Sequence, residues 1–380
     1  MDGVAGWVNW RAFLAGASPG EGWEIELWSD ARYADDITEH LGPYSVLNTV
    51  PSPEEQSEFR PGLILRFFDY APDVGPRSDA TRSDYEFYHG AGLDEELAAL
   101  LSLSLGTRVK SGGAVRHFTT ETGPHGMPID WGRRSLQVPQ QRSRSIVPSA
   151  RRWSGAIGMS VRNIKDAIPL VSMYPTLSSG AAITLVRAAR QYQEGLWVCE
   201  VDPELAWLRF IGALETAASF DPEATTTAVE RLEDVAPELV GVLREACPGT
   251  LGQVADLLDG KLGATSRFVE FVLAHDPGPP SSRPMKPTRQ VNWAQLRQNL
   301  SKIYDWRSKA LHTGLPLPAP MLAETRTWGL ADEPDETVGG LGEGNETAMW
   351  TARDIPMRLH VFEHLTRGVL QGWWASLGAA

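Results

Sequence analysis

From Ser179 onward the chain carries apolar residues at three- and four-residue steps, broken by short stretches rich in proline and glycine. That period leaves one apolar stripe per segment, and such stripes are stable only when buried against one another, so this part must fold as a helical bundle. Residues 179–197 form the first segment. Asp202 to Ser219 forms the second, opening with an acid and a proline as a helix start does. Residues 225–246, 251–260 and 263–276 continue the pattern. Pro277 to Pro287 is a break that no helix crosses. Residues 291–314 follow, then a Gly-, Pro- and acid-rich loop, then a last helix over 355–377. No repeat of fixed period runs along the segments.

The first 130 residues differ. Trp23 to Ser29 alternates apolar and polar, as a half-buried strand does, and Leu63 to Tyr70 is a second such run. Gly92 to Gly106 has a helix's composition and ends on glycine. Two short runs about Ser111-Gly112-Gly113 predict a hairpin over 107–118. The expected architecture is therefore an α+β domain over 1–130, a basic linker over 131–178, and an all-α bundle over 179–380. Between Trp131 and Trp153 stand Arg133, Arg134, Arg142, Arg144, Arg151 and Arg152, with two prolines and no acid. A stretch like this is either a solvated linker or a strip that holds RNA phosphates.

A formal charge of −13 argues against broad coating of nucleic acid, though not against a local basic site. The two cysteines, Cys199 and Cys247, lack metal-ligand spacing and fit a reducing cytoplasm. No membrane-length apolar run and no secretory start is present, so a cytoplasmic protein without membrane contact is expected. Several motifs carry nothing. Gly340-Leu341-Gly342 lacks the strand and the Lys-Ser/Thr ending of a phosphate loop. His117 and His125 stand too far apart for a helical metal pair, so no metal or cofactor is expected.

In the helix over Asn292–His312 the apolar positions are Trp293, Leu296, Leu300, Ile303, Ala310 and Leu311. The gap in this series falls on Arg307, at the centre of the core-facing stripe. An arginine there is costly unless it is paired or shared with an interface. His312 follows five residues later, just before Gly314 and Pro316 end the helix. Five residues turn a helix by roughly 140°, so the two side chains do not share a face. Either the helix end distorts or a second copy completes the site. Glu215 is a second misplaced charge, lying in an almost wholly apolar helix beside Leu208, Ile211 and Ala218. It is either a carboxylate at the bundle edge or a residue that orients Arg307 or His312.

Arg307-Ser308-Lys309-Ala310-Leu311-His312 matches the Arg-x4-6-His motif of HEPN domains, and residues 180–380 resemble that family, in particular the Apea-like branch found in bacterial defence proteins. Two further matches to the spacing, Arg353 to His360 and Arg358 to His364, are set aside because both histidines fall opposite the stripe of the last helix, on its expected solvated side. Ser308 stands where many nuclease members carry Asn, Asp or His. Gly314 stands where the nucleotidylated variant carries tyrosine. The resemblance implies metal-independent RNA cleavage, with His312 as general base or acid and Arg307 as phosphate stabiliser. It makes Ser308 and Tyr304 hydrogen-bonding helpers, and it implies a homodimer with a composite cleft. Lys309 joins the arginine strip as a candidate RNA contact, and the N-terminal region is expected to sense a phage or host trigger. The rival expectation is a non-catalytic HEPN scaffold or ligand-binding module.

Overall fold

The computed structural model describes residues 4–34, 39–49, 60–71, 92–134, 160–220, 227–259, 263–324, 333–339, 342–344, 346 and 348–378. Helix α1 (Ala5–Leu14) leads into β1 (Gly22–Ser29), β2 (Ala31–Tyr33), β3 (Glu39–Leu41), β4 (Tyr44–Asn48) and β5 (Arg60–Phe68). Next come α2 (Leu93–Leu105), β6 (Val109–Phe118) and β7 (Met127–Pro128). These strands form an antiparallel sheet in the order β3-β4-β5-β1-β6-β7, while β2 pairs in parallel with β8 (Ser160–Arg162). The alternation seen in Trp23 to Ser29 is that of the central strand. Ile25 and Leu27 point into the core, and on the other face Glu24 bridges Arg66 of β5 and Arg116 of β6.

The expected hairpin at Ser111-Gly112-Gly113 is instead the middle of one continuous strand. All of β6 pairs with β1, and its register shifts twice, opposite Glu24/Ile25 and opposite Glu26/Leu27. Gly113 sits at φ +89°, and a Cβ there would lie 2.1 Å from the Gly132 carbonyl. The glycines therefore serve bulges against a neighbouring strand rather than a turn.

The remaining elements are α3 (Ile168–Val171), α4 (Ser179–Val198), α5 (Pro203–Ala218), α6 (Ala228–Val235), α7 (Pro237–Ala246), α8 (Leu251–Asp259), α9 (Ala264–Ala274), α10 (Leu296–Thr313), α11 (Ala319–Leu322), the short pair β9 (Glu343–Gly344) and β10 (Met349–Trp350), and α12 (Leu359–Leu377). Helices α4, α5 and α12 are the centre of the helical part; Trp207 stacks on Phe362 with ring centres 4.5 Å apart. A small satellite core of Leu232, Val240 and Ala255 holds α6, α7 and α8 together. The N-terminal antiparallel sheet followed by a helical part agrees with the α+β-then-helical expectation. None of the helices among the described residues is long and apolar enough to cross a membrane.

The two parts share one hydrophobic core, which runs from Ile25 and Leu65 through α2 to Leu185, Phe210 and Trp374. Helix α2 is the link, buried over nearly its whole length. The second half of the expected linker also enters this core, since Ile164, Ala167, Val171, Tyr174 and Leu177 are all buried. At its first turn α2 places the buried Glu96 carboxylate on the N-terminus of α1, accepting from the Ala5 amide at 3.0 Å and the Gly6 amide at 2.7 Å. An anion on unsatisfied amides at a helix start is doubly favourable. Glu96→Ala is accordingly expected to cost about 2–3 kcal/mol, read as a lowered urea midpoint; an unchanged midpoint would remove this capping role.

Helix α12 carries Leu359, Phe362, Leu365, Val369 and Trp373 inward as its spacing predicts, with Ile355 buried just ahead of it. Its opposite side is not the solvated face expected from the pattern. His360 and His364 are half-buried, and Gln371 donates to the Leu103 and Ser104 carbonyls of α2 at 2.8 and 3.0 Å. Periodicity locates the apolar side of a helix but not what covers the other. Burial, with Arg358 and His364 adding to it, pushes the His360 imidazole down to about 3. The unfolded chain therefore binds a proton that the folded chain refuses. This contribution to stability is complete above the ordinary histidine pKa of about 6.5 and is lost as pH falls from there toward 3. Chemical denaturation of His360→Gln is expected to show a shallower acid slope over that window than the parent chain; equal slopes would sink the idea.

Candidate functional site

Helix α10 is anchored through Leu296, Leu300, Ile303 and Tyr304, all buried. Beyond Tyr304 the inward stripe thins to Trp306 and Ala310, half-buried against the core. Leu311, expected to continue it, is 52% exposed, and Leu315 just past the helix is 48% exposed. Arg307 lies at the boundary with its side chain 23% exposed. Its Nη2 donates to Glu215 Oε2 at 2.8 Å, across 92 residues of chain. The other carboxylate oxygen, Glu215 Oε1, accepts from the Tyr304 hydroxyl at 2.8 Å. The Arg307 guanidinium also lies over the Tyr304 ring, 5.4 Å from its centre. Burial, reinforced by Glu215, raises the Tyr304 phenol to about 12, so it remains a donor. Glu215 is therefore the shared partner of Tyr304 and Arg307 at the edge of the bundle.

Arg307 and Glu215 border an open groove of about 480 Å³ between α4, α5 and α10. Gln191, Arg209, Gly212 and Thr216 line it beside Arg307 and Glu215. Gln191 donates to the Thr216 hydroxyl at 2.7 Å, and its amide oxygen passes so close to Gly212 that a Cβ there would lie 2.2 Å away. Arg209 and Gln191 were not singled out by sequence. The available signal was the series Leu205, Leu208, Gly212, Glu215 and Ser219 on one face of α5, in which small and polar residues interrupt an otherwise apolar helix.

His312 is exposed, does not border the groove, and its side chain makes no hydrogen bond among the described residues. The helix is regular to Thr313 and ends on Gly314 in the left-handed conformation at φ +68°. No distortion bends His312 back toward Arg307, and the two side chains diverge by the roughly 140° of an ideal helix. Within one chain the fold unites Arg307, Tyr304 and Glu215 but leaves His312 apart. Ser308 is half-buried with no hydrogen bond among the described residues. Lys309 is exposed, its ammonium 4.8 Å from the centre of the Trp306 ring.

Of the arginine strip, Arg133 pairs with Glu26 at 3.2 Å, and Arg134 pairs with Glu95 and, at 3.5 Å, with Asp94. Both are thus partly neutralised against the sheet and α2. Arg142, Arg144, Arg151 and Arg152 lie outside the described residues.

No family model, curated protein or solved structure matches this chain.

Proposed function

We propose that this chain is a metal-independent endoribonuclease of the HEPN type, working as a homodimer in anti-phage defence or toxin-like RNA cleavage. The observation that carries this reading is the pair of groups at the end of α10. Arg307 is held in an open groove by Glu215 and Tyr304, and an exposed histidine without a hydrogen-bond partner among the described residues stands five positions on. A fixed guanidinium suits the non-bridging oxygens of a phosphate, and an imidazole can take a proton on one nitrogen and give one up.

In the step envisaged, the ribose 2′-oxygen bonds to the adjacent phosphorus while its proton passes to His312. The P–O5′ bond breaks, and the leaving oxygen takes a proton from His312 of the partner subunit. Because α10 turns Arg307 and His312 apart, one cleft needs a second copy. The exposed Leu311 and Leu315 beside them offer apolar surface for a twofold contact. Unpaired RNA is the preferred substrate class, since in-line attack requires a backbone free to rotate.

A second reading, a non-catalytic HEPN scaffold or ligand-binding module, is favoured by one feature. Glu215 spends both oxygens on Tyr304 and Arg307, which suffices to pin α10 to α5 without any substrate. Incubating the purified chain with labelled RNA in chelator separates the two: fragments ending in 2′,3′-cyclic phosphate are expected, and intact RNA at all protein concentrations favours the scaffold. Glu215→Gln sharpens the distinction. In a nuclease it keeps a neutral acceptor for Arg307 while lowering negative potential in the groove, so RNA should bind more tightly and turnover should change. In a scaffold only stability moves, by about 1 kcal/mol for a half-buried pair that keeps a neutral hydrogen-bond acceptor.

A further inference from the structure

A second cavity, of about 460 Å³, lies between the end of α2, β8 and the polar side of α12. This is within the size range of small-molecule sites. Its α12 wall is a stripe at helical spacing, His360, Glu363, His364 and Arg367, and the facing wall holds Arg162 and Arg108.

The charges are unevenly matched. Arg108 is spoken for by Asp30 at 2.7 Å and Glu200 at 3.3 Å. Glu336, on the same lining, is paired with Arg283 at 2.5 Å, and Glu333 stands beside it. Arg162 and Arg367 differ: among the described residues each uses only Nε toward the protein. Arg162 Nε donates to the Leu105 carbonyl at 2.9 Å, and Arg367 Nε to Glu363 Oε1 at 3.3 Å. Their terminal amino groups have no acceptor among the described residues. One carboxylate, Glu363, which also accepts from the Tyr192 hydroxyl at 2.6 Å, stands against both cations. Burial and then the neighbouring Arg367 hold the Arg162 guanidinium below its ordinary range, whereas Arg367, despite burial, is held above its own by Glu363, so the shared carboxylate compensates Arg367 more fully than Arg162. The walls also contain two buried polar atoms without a partner among the described residues, Asp30 Oδ1 and His360 Nδ1.

We propose that this cavity binds a small phosphate-bearing molecule, its phosphate held by Arg162 and Arg367. Two guanidiniums with free terminal amino groups offer more donors than one carboxylate can accept, whereas a phosphate presents three oxygens and up to two charges. His364 Nε2 donates to the Gly278 carbonyl at 3.1 Å, which seats the loop after α9 over the cavity and makes both histidines reporters of its occupancy. The position between sheet and bundle makes the site a place where a ligand is felt by both parts of the shared core.

The test is a titration of the full, histidine-labelled chain followed by the ring resonances of His360 and His364, with the other histidines as internal controls. The probes are inorganic phosphate, glycerol 3-phosphate, adenosine 5′-monophosphate and succinate. Saturable shifts of these two rings with one or more phosphate probes are expected, and comparison of inorganic phosphate with the two monoesters tells which source of phosphate the cavity takes. Arg162→Gln is expected to weaken binding at least about tenfold, with Arg367→Gln as a second variant. The proposal fails if millimolar phosphate probes leave both rings unmoved, if succinate binds as tightly, or if both variants bind like the parent chain. Should a variant unfold, the titration of the parent chain still decides. RNA cleavage plays no part in this readout, so its outcome is separable from that of the nuclease reading.

Discussion

His312→Ala is expected to lower RNA cleavage by roughly 10²–10⁴-fold, the ordinary contribution of a positioned general acid or base, while leaving the fold intact. The second half of this expectation is structural. His312 is exposed, and its side chain makes no hydrogen bond among the described residues and caps nothing, because Gly314 already ends α10. A large loss of rate without loss of stability would therefore be chemical in origin. Arg307→Lys gives the matching test of the other group. A lysine at 307 keeps a positive charge to pair with Glu215, so the tie between α10 and α5 largely survives. It cannot supply two parallel donors to a phosphate. Cleavage should fall steeply for the lysine variant while its urea midpoint stays close to that of the parent. Gel assays in chelator with folded, matched variants measure both. Undiminished cleavage by His312→Ala, or activity that appears only when a divalent metal is added, would overturn the mechanism.

Removing the Arg108 guanidinium should have the largest effect on stability. Arg108 stands at the junction of the sheet and the helices, with Nε donating to the Leu196 carbonyl at 2.5 Å and Nη1 to Asp30 at 2.7 Å. Its Nη2 reaches Glu200 at 3.3 Å and the Cys199 sulfur at 2.8 Å. Burial pushes the Cys199 thiol up to about 11, so the thiol stays neutral and the compensating charge comes from the two carboxylates. Arg108→Met leaves Asp30 and Glu200 buried and without that partner, a change expected to cost about 3–5 kcal/mol. The triple variant Arg108→Met, Asp30→Asn, Glu200→Gln should recover part of the loss, since no charge is then stranded. Urea denaturation reads this directly, and a loss below about 1 kcal/mol for the single variant would contradict the burial argument.

The shared core makes a related point about the N-terminal region. Deleting residues 1–150 would strip α2 and the sheet from α4 and α12 and expose their apolar faces, so such a fragment is a poor probe of regulation. Point changes in the sheet are the better means of asking whether that region senses a trigger.

Local periodicity sufficed for β1, β5, α2, α4, α5, α10 and the inward stripe of α12, because the spacing of apolar residues is set by a helix or strand before any partner is chosen. The same logic exposed Arg307 and Glu215 as charges out of place and left their pairing as one of several alternatives; 92 residues separate them, and only the packing of the bundle, in which α9 contacts both α5 and α10, brings them together. Tertiary structure alone decided the rest. Gly112 and Gly113 look alike in a turn and in a bulged strand, and pairing with the distant β1 selects the bulge. Ile164 to Leu177 follows a basic run that suggests solvent, yet the core shared with α2 buries it. Leu311 fits the stripe of its helix but extends past the last element that covers it, so it stays exposed beside Arg307. His360, His364 and Arg367 mark the polar side of α12. A polar side faces either water or another wall, and the end of α2 with β8 supplied the wall.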